Sequence, residues 1–287
     1  MLTIEHLTKN YGGFTALNDI SLELEPGVYG LLAPNGAGKT TLLKLITTLL
    51  YPTSGRILWD GKEIVSMGED YRAILGYLPQ EFGYYPGYTP VKFLRYVAAL
   101  QCIPKAKAEE RITELLKMVG MSEYADRKMK KLSGGMKQRI GIAQAMLADP
   151  KILILDEPTA GLDPKERVRF RNLIHSLSQD RIVILSTHIV SDIETIANRI
   201  IMIKDHELLC CEAPQKICDR FAGKIYEVPA GKDYHVENGH PVVLSERQQA
   251  DGTVLRIYSE EAVPNGTPVA PNLEDAFLSI YQEGEEE

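Results

Sequence analysis

Ala33-Pro-Asn-Gly-Ala-Gly-Lys-Thr40 is the stretch that decides the fold. It follows the short apolar run Val28–Leu32 and opens a helical pattern from Lys39 to Leu50, which closes at Pro52-Thr-Ser-Gly55. A loop of small residues between strand and helix lets the backbone wrap a phosphate, with successive N–H groups pointing inward. Asn35, Gly36, Ala37, Gly38, Lys39, Thr40 and Thr41 are thereby expected to hold a phosphate-bearing ligand. Lys39 adds a point charge at the outer phosphates, and the Thr40 hydroxyl suits a Mg²⁺ ion. A plain glycine-rich turn with a surface lysine is the competing reading, and the strand-then-helix context opposes it. Ala33 stands where such loops begin with glycine. Pro34 behind it restricts residue 33 to β or polyproline angles, which alanine adopts without strain.

A nucleotide site of this kind needs an acid across from the loop. Lys151-Ile-Leu-Ile-Leu-Asp-Glu-Pro158 supplies two, just past an apolar strand. In an open α/β sheet that strand end is where ligands sit. Asp156 is the expected metal ligand and Glu157 the expected general base for an attacking water.

Leu132-Ser-Gly-Gly-Met-Lys-Gln138 narrows the choice. Physically it is a second anion site: a Ser133 hydroxyl and the Gly134-Gly135 backbone at the start of a helix that runs to Leu147. It resembles the signature sequence of ATP-binding-cassette (ABC) proteins. The resemblance implies ATP and Mg²⁺ as ligands, with two subunits pairing head to tail so that Ser133, Gly134 and Gly135 close over the other copy's nucleotide. The remaining family motifs follow in order. Gln80, in Tyr77-Leu-Pro-Gln80, matches the Q-loop, which resembles a sensor between metal, γ-phosphate and membrane partner; the resemblance implies a metal ligand and a member of the catalytic set beside Lys39 and Glu157. Asp163, in Gly161-Leu-Asp163, matches the D-loop, a contact across the dimer. It also reads as the cap of a helix opened by Asp163-Pro-Lys-Glu166. His188, in Ser186-Thr-His188, matches the switch histidine that holds the γ-phosphate and the water. Tyr11 matches the aromatic residue that stacks on adenine, and a tyrosine beside Gly12-Gly13 reads equally as a turn residue. His6, His175, His206, His235 and His240 show no metal spacing and are read as structural or exposed.

Outward from these motifs the pattern is α/β. Leu2–Leu7 and Leu17–Leu24 alternate as paired strands, around a turn at Asn10-Tyr-Gly-Gly13, and Arg56–Trp59 reads as an edge strand. Helical periodicity fills about 83–148, most clearly in Val91–Leu100 and Ala108–Val119. Lys151–Leu155, Arg181–Ser186 and Arg199–Ile203 are strand-like, with helices between them. The alternation predicts a mostly parallel sheet with a helical insertion. The resemblance adds an antiparallel β subdomain, completing a P-loop NTPase core over 1–222.

Beyond Ala222 short β-like runs (Lys224–Val228, Val242–Ser245, Thr253–Tyr258), a turn at Asp251-Gly252, a helix over Leu273–Tyr281 and an acidic end Glu283–Glu287 predict a small α+β appendage, 223–287. Pro271-Asn-Leu-Glu-Asp-Ala-Phe-Leu278 resembles the tail of ATPase subunits from drug-resistance exporters, in which membrane and ATPase parts are separate chains.

Composition bounds the rest. The 287 residues are 44% hydrophobic and 25% charged, as in an ordinary globular protein. A net charge of −7 without a dense Lys/Arg run argues against an extended nucleic-acid surface. Cys102, Cys210, Cys211 and Cys218 form no C-x-x-C pair, in keeping with a reducing cytoplasm. The N-terminus lacks a signal-peptide pattern and no apolar run is long enough for a bilayer. The resemblance therefore implies a cytoplasmic motor held at the inner face of the membrane by a separate permease. Exporter and importer motors share the core motifs; the tail tilts the reading to export. Ribosome- or chromosome-acting relatives carry duplicated cassettes or long coiled coils, absent here. A silent regulatory cassette is opposed by the full motif set. Phe82-Gly-Tyr-Tyr-Pro-Gly-Tyr88 is left with two readings: a permease-docking surface, or a loop packed on its own domain.

Overall fold

The computed structural model describes residues 1–236, 241–249 and 252–282. The chain divides into two compact units, Met1–Cys211 and Glu212–Glu287. That division falls ahead of the change in sequence texture at Ala222, because Glu212 pairs with Arg220 and helix Pro214–Asp219 packs on the terminal helix of the second unit.

The first unit begins with an antiparallel sheet. Strands β1 (Leu2–Tyr11), β2 (Phe14–Leu24), β4 (Ser54–Trp59) and β5 (Lys62–Glu63) lie in the order β2-β1-β4-β5. β1 and β2 run further into their turn than the alternation predicts, so that only Gly12 and Gly13 separate them. The second sheet holds β3 (Gly27–Leu32), β6 (Leu75–Leu78), β7 (Ile152–Asp156), β8 (Ile182–Ser186), β9 (Arg199–Lys204) and β10 (Glu207–Glu212), ordered β10-β9-β3-β8-β7-β6. The pairings from β9 through to β6 are all parallel. Every residue of β7 and β8 is buried, which is why both read as unbroken apolar runs rather than alternating ones.

Helix α1 (Lys39–Ile46) follows β3, short helices α2 (Ile64–Met67) and α3 (Glu69–Ala73) precede β6, and α7 (Pro164–Leu177) and α8 (Val190–Glu194) flank β8. The helical insertion contains α4 (Pro90–Leu100), α5 (Lys105–Met118) and α6 (Gly134–Ala145). α1 stops short of the predicted Leu50. The Thr47 hydroxyl turns back to the Leu43 carbonyl at 2.9 Å, and Thr48 is left-handed (φ 57°). A core of Leu, Ile and Tyr side chains from β1, β2, β3, α1, β7 and β8 fills the space between the two sheets. Within it the fully buried Tyr71 donates to the Ile46 carbonyl at 2.9 Å, closing the end of α1.

Part of the aromatic stretch 82–88 packs on its own domain. Phe82 is turned inward beside Phe93, against α6 at Gly141, where a Cβ would meet its ring at 3.2 Å. Tyr85 remains exposed and clusters with Tyr88 and Tyr96.

The second unit has helix α9 (Pro214–Asp219), strands β11 (Ile225–Pro229), β12 (Val242–Gln249), β13 (Gly252–Tyr258) and β14 (Thr267–Pro268) in the order β12-β13-β11-β14, and helix α10 (Leu273–Gln282). Arg256 on β13 is buried and forks onto Asp275 of α10 at 2.6 Å, with the Ala270 carbonyl as a further acceptor. Asp251, His240 and Glu283–Glu287 lie outside the described residues. Among the described residues, no helix is long and apolar enough to cross a membrane.

Candidate functional site

The loop after β3 folds as its composition requires. Gly36 (φ 84°) and Gly38 (φ 105°) take backbone angles that side chains oppose. At Gly38 a Cβ would also lie 2.5 Å from the Ala16 carbonyl oxygen and 2.6 Å from Leu17 Cδ2. The loop therefore passes against β2 at a distance only glycine allows. Ala33 is buried and is not among the left-handed residues. Alanine is therefore unstrained at the position where such loops begin with glycine.

Lys39 is 9% exposed, and its ammonium donates to the carbonyls of Ala33 at 2.5 Å and Pro34 at 2.9 Å. Burial pushes it below the ordinary lysine value, while Glu157 and Asp156 pull the other way. Asp156 ends β7 and is 5% exposed. Burial raises its carboxyl above the usual range, the hydrogen bond from Ser186 opposes the rise, and Glu157 adds to it. The next residue, Glu157, is left-handed (φ 50°), with its N–H on the Ser186 carbonyl at 2.9 Å. Its carboxylate shares a 2.8 Å hydrogen bond with His188 Nδ1.

One cavity of about 500 Å³ gathers these groups. Its lining includes Tyr11, Asn35, Gly36, Gly38, Lys39, Thr40, Thr41, Gln80, Asp156, Glu157 and His188, drawn from five separated stretches of sequence. Ala37, expected beside them, is buried and belongs to the core behind the loop. The oxygens of Thr40, Gln80 and Asp156 are hard donors on one cavity. They fit a Mg²⁺ ion that takes few protein ligands and completes its shell with water and phosphate. A carboxylate fixed by an imidazole beside a phosphate loop is placed to accept a proton from water.

Ser133, Gly134, Gly135 and Asp163 do not join this cavity. Ser133 caps α6, its hydroxyl accepting from the Met136 N–H at 3.3 Å, and Gly134 and Gly135 form the first turn. Asp163 caps α7, accepting from the Glu166 N–H at 2.8 Å with Pro164 behind it, as the capping pattern predicts. Ser133 and Asp163 instead line a second and larger cavity of about 930 Å³ together with Arg139 and Glu166.

Two cavity residues escape a motif reading: Phe14 and Ala16. Phe14 had one legible signal, an aromatic facing Tyr11 across a two-glycine turn. His206, read as structural, lies edge-on to Phe14.

A family model described as ABC transporter matches residues 17–160. The Nod factor export ATP-binding protein I of Cupriavidus metallidurans is 30% identical, over 98% of this chain and 97% of its own. The carnitine transport ATP-binding protein OpuCA of Listeria monocytogenes is 36% identical, over 99% of this chain and 73% of its own. The solved dimer of the ATP-binding cassette MJ0796 in a post-hydrolysis state, bound to ADP and Pi, is similar at a TM-score of 0.66 and 27% identity, over 74% of this chain and 98% of that one. With a phosphate loop, acidic strand end and carboxylate–imidazole pair on one cavity, the chain belongs to the ABC transporter family and is one of its ATP-hydrolysing subunits.

Proposed function

We propose that this chain is the motor of an exporter. Two copies close head to tail over Mg-ATP and drive a separate permease, which holds them at the cytoplasmic face of the membrane. The observation that carries the reading is the separation of the two anion-binding faces. Lys39 and Glu157 line one cavity, and Ser133 and Asp163 line another. A single triphosphate needs one phosphate loop, so a second anion-binding helix start on the same chain is explained by a nucleotide held on the opposite copy. The dimer of MJ0796 is a precedent for such pairing.

In this reading Tyr11 stacks on the base, and Asn35 through Thr41 wrap the phosphates. Lys39 exchanges its two carbonyl partners for phosphate oxygens. Thr40, Gln80 and Asp156 orient Mg²⁺, which neutralises charge on the outer phosphates when bound. Glu157 takes the water proton while His188 fixes its carboxylate and meets the γ-phosphate. Ser133, Gly134 and Gly135 complete the partner's site, and Asp163 sits at the contact between copies. The Nod factor export relative supports export. The carnitine transport relative supports a second reading, the motor of an importer.

Glu157→Gln keeps shape and hydrogen bonding but removes the base. It is expected to bind Mg-ATP, lose at least ~100-fold in turnover and accumulate as an ATP-loaded dimer in sedimentation. Ser133→Arg is expected to abolish turnover and leave monomer nucleotide binding intact. Parent-like hydrolysis by the first variant, or loss of monomer binding in the second, refutes the scheme. ATP-driven transport into or out of inverted vesicles carrying the permease decides the direction.

A further inference from the structure

We propose that Phe14 is a second nucleobase-contacting wall of the ATP site, and that His206 is the positioning residue that holds it there. The inference rests on the nucleotide occupying the cavity described above.

The turn between β1 and β2 carries one aromatic on each side of Gly12-Gly13, and the strand register pairs them, Tyr11 with Phe14. Both rings line the cavity that contains Asn35, Lys39 and Thr41. Both are well exposed, 45% for Tyr11 and 54% for Phe14, so neither is spent on the core. The Lys9 ammonium sits 5.3 Å from the Tyr11 ring centroid and occupies part of that ring's surroundings. Phe14 is fixed differently: the His206 ring meets it at 5.2 Å between centroids and 86° between planes, an edge-to-face contact that leaves the phenyl free to stack elsewhere.

The route to that contact is a costly one. Asp205 (φ 51°) and His206 (φ 68°) are the two residues linking β9 to β10, and both are left-handed. A two-residue link of this kind favours glycine in its second place, because a side chain opposes those angles. Histidine there gives up backbone comfort, and its carbonyl is tied to the Asn18 N–H at 2.8 Å. The gain is a ring set against Phe14, at a distance of 192 residues in sequence (206 − 14). A side chain kept at a strained position, with its ring engaged on a cavity wall, points to a positioning role.

Phe14 has no hydrogen-bonding atom. A base held between it and Tyr11 is recognised by its π-face, which every purine shares, and not by its edge. The chemical class taken is therefore a nucleoside triphosphate held by its base face, with adenine and guanine accepted alike.

Calorimetric titration of the full chain with ATP, GTP and inorganic tripolyphosphate tests this. ATP and GTP are expected to bind within about threefold of each other. Phe14→Ala is expected to weaken both about tenfold and leave tripolyphosphate unchanged. His206→Gly relaxes the turn, so its Tm is expected to equal or exceed the parent's while ATP binding weakens several-fold; a purely structural histidine would lower Tm and leave affinity alone. Parent-like ATP affinity in Phe14→Ala overturns the proposal, as does an equal loss of tripolyphosphate or a preference above tenfold between ATP and GTP. Lys39→Ala separates the two levels. Its loss of tripolyphosphate binding is expected, and retention would remove the phosphate site itself, and this proposal with it.

Discussion

The phosphate loop makes a graded prediction, because three of its small residues are small for different reasons. Gly38→Ala faces two penalties. A side chain at φ 105° costs about 1–3 kcal/mol in backbone strain. The new Cβ also lands 2.5 Å from the Ala16 carbonyl oxygen, a backbone atom that cannot swing aside, and overpacking of this kind costs about 1–3 kcal/mol. Together they amount to ~2–6 kcal/mol, or roughly 4–24 °C in Tm at 2–4 °C per kcal/mol for a unit of this size. Gly36→Ala faces only the first, since nothing lies within 4 Å of its Cβ position; about 1–3 kcal/mol is expected. Ala33→Gly is the control. Alanine there is unstrained, so glycine only adds freedom to the unfolded chain, costing ~0.5–1 kcal/mol, with ATP affinity within about twofold of the parent. Thermal melts without nucleotide and titration with ATP read both quantities. Equal stability of Gly38→Ala and Gly36→Ala would refute the close-approach argument, and a large affinity gain in Ala33→Gly would refute the claim that alanine is strain-free.

Tyr71→Phe leaves the Ile46 carbonyl at the end of α1 without its donor in a sealed environment, and is expected to cost ~1–2 kcal/mol in a denaturant titration. Arg139 lies 3.2 Å from Glu166 and also donates to the Val119 carbonyl, joining α6, α7 and the end of α5. Arg139→Ala is expected to lose ~3 kcal/mol, the low end for a buried pair because Arg169 stays with Glu166. For Asp156 the sign is set by burial. Its folded pKa lies above the unfolded value, so the folded chain binds the proton more tightly, and stability falls as pH rises through that window. Asp156→Asn, melted without nucleotide or metal, is therefore expected to gain stability over the parent at pH 8 and to gain less at pH 5; a lower Tm than the parent at pH 8 contradicts this.

The elements that line the Lys39 cavity were legible because their signals are local. A strand, a small-residue loop and a helix sit side by side in sequence, and the two acids follow a strand whose apolar run is unbroken. Elements shaped by distant partners were not. β6 is four residues long, with Gly76 in its middle, and reads as nothing by itself. It is a strand because β7 pairs with it in parallel, and Gly76 is required because a Cβ would lie 2.3 Å from the Ala145 carbonyl. β10, Glu207–Glu212, carries two leucines and two cysteines without alternation, and its place beside β9 is set by the tight Asp205-His206 link. Ser186 was read only as part of a motif, yet its hydrogen bond to Asp156 depends on the alignment of β7 with β8, where Asp156 faces Ser186. The signature and D-loop motifs were visible in sequence. That they line a different cavity from Lys39 was not, since distance in space is not a property of spacing along the chain.

The left-handed turn of the chain at Glu157 has a consequence for how tightly two jobs are bound together. Neighbouring residues of an extended strand project to opposite sides. Had β7 simply continued, the carboxylates of residues 156 and 157 would have been split between opposite surfaces of the sheet. A single reversal of handedness, pinned by the Ser186 carbonyl, brings both into one chamber. The spacing between these two carboxylates is thus written in one backbone torsion. A bulky β-branched residue at 157 would lose more than a carboxylate: by resisting that torsion, it would also turn whatever it carries away from Asp156.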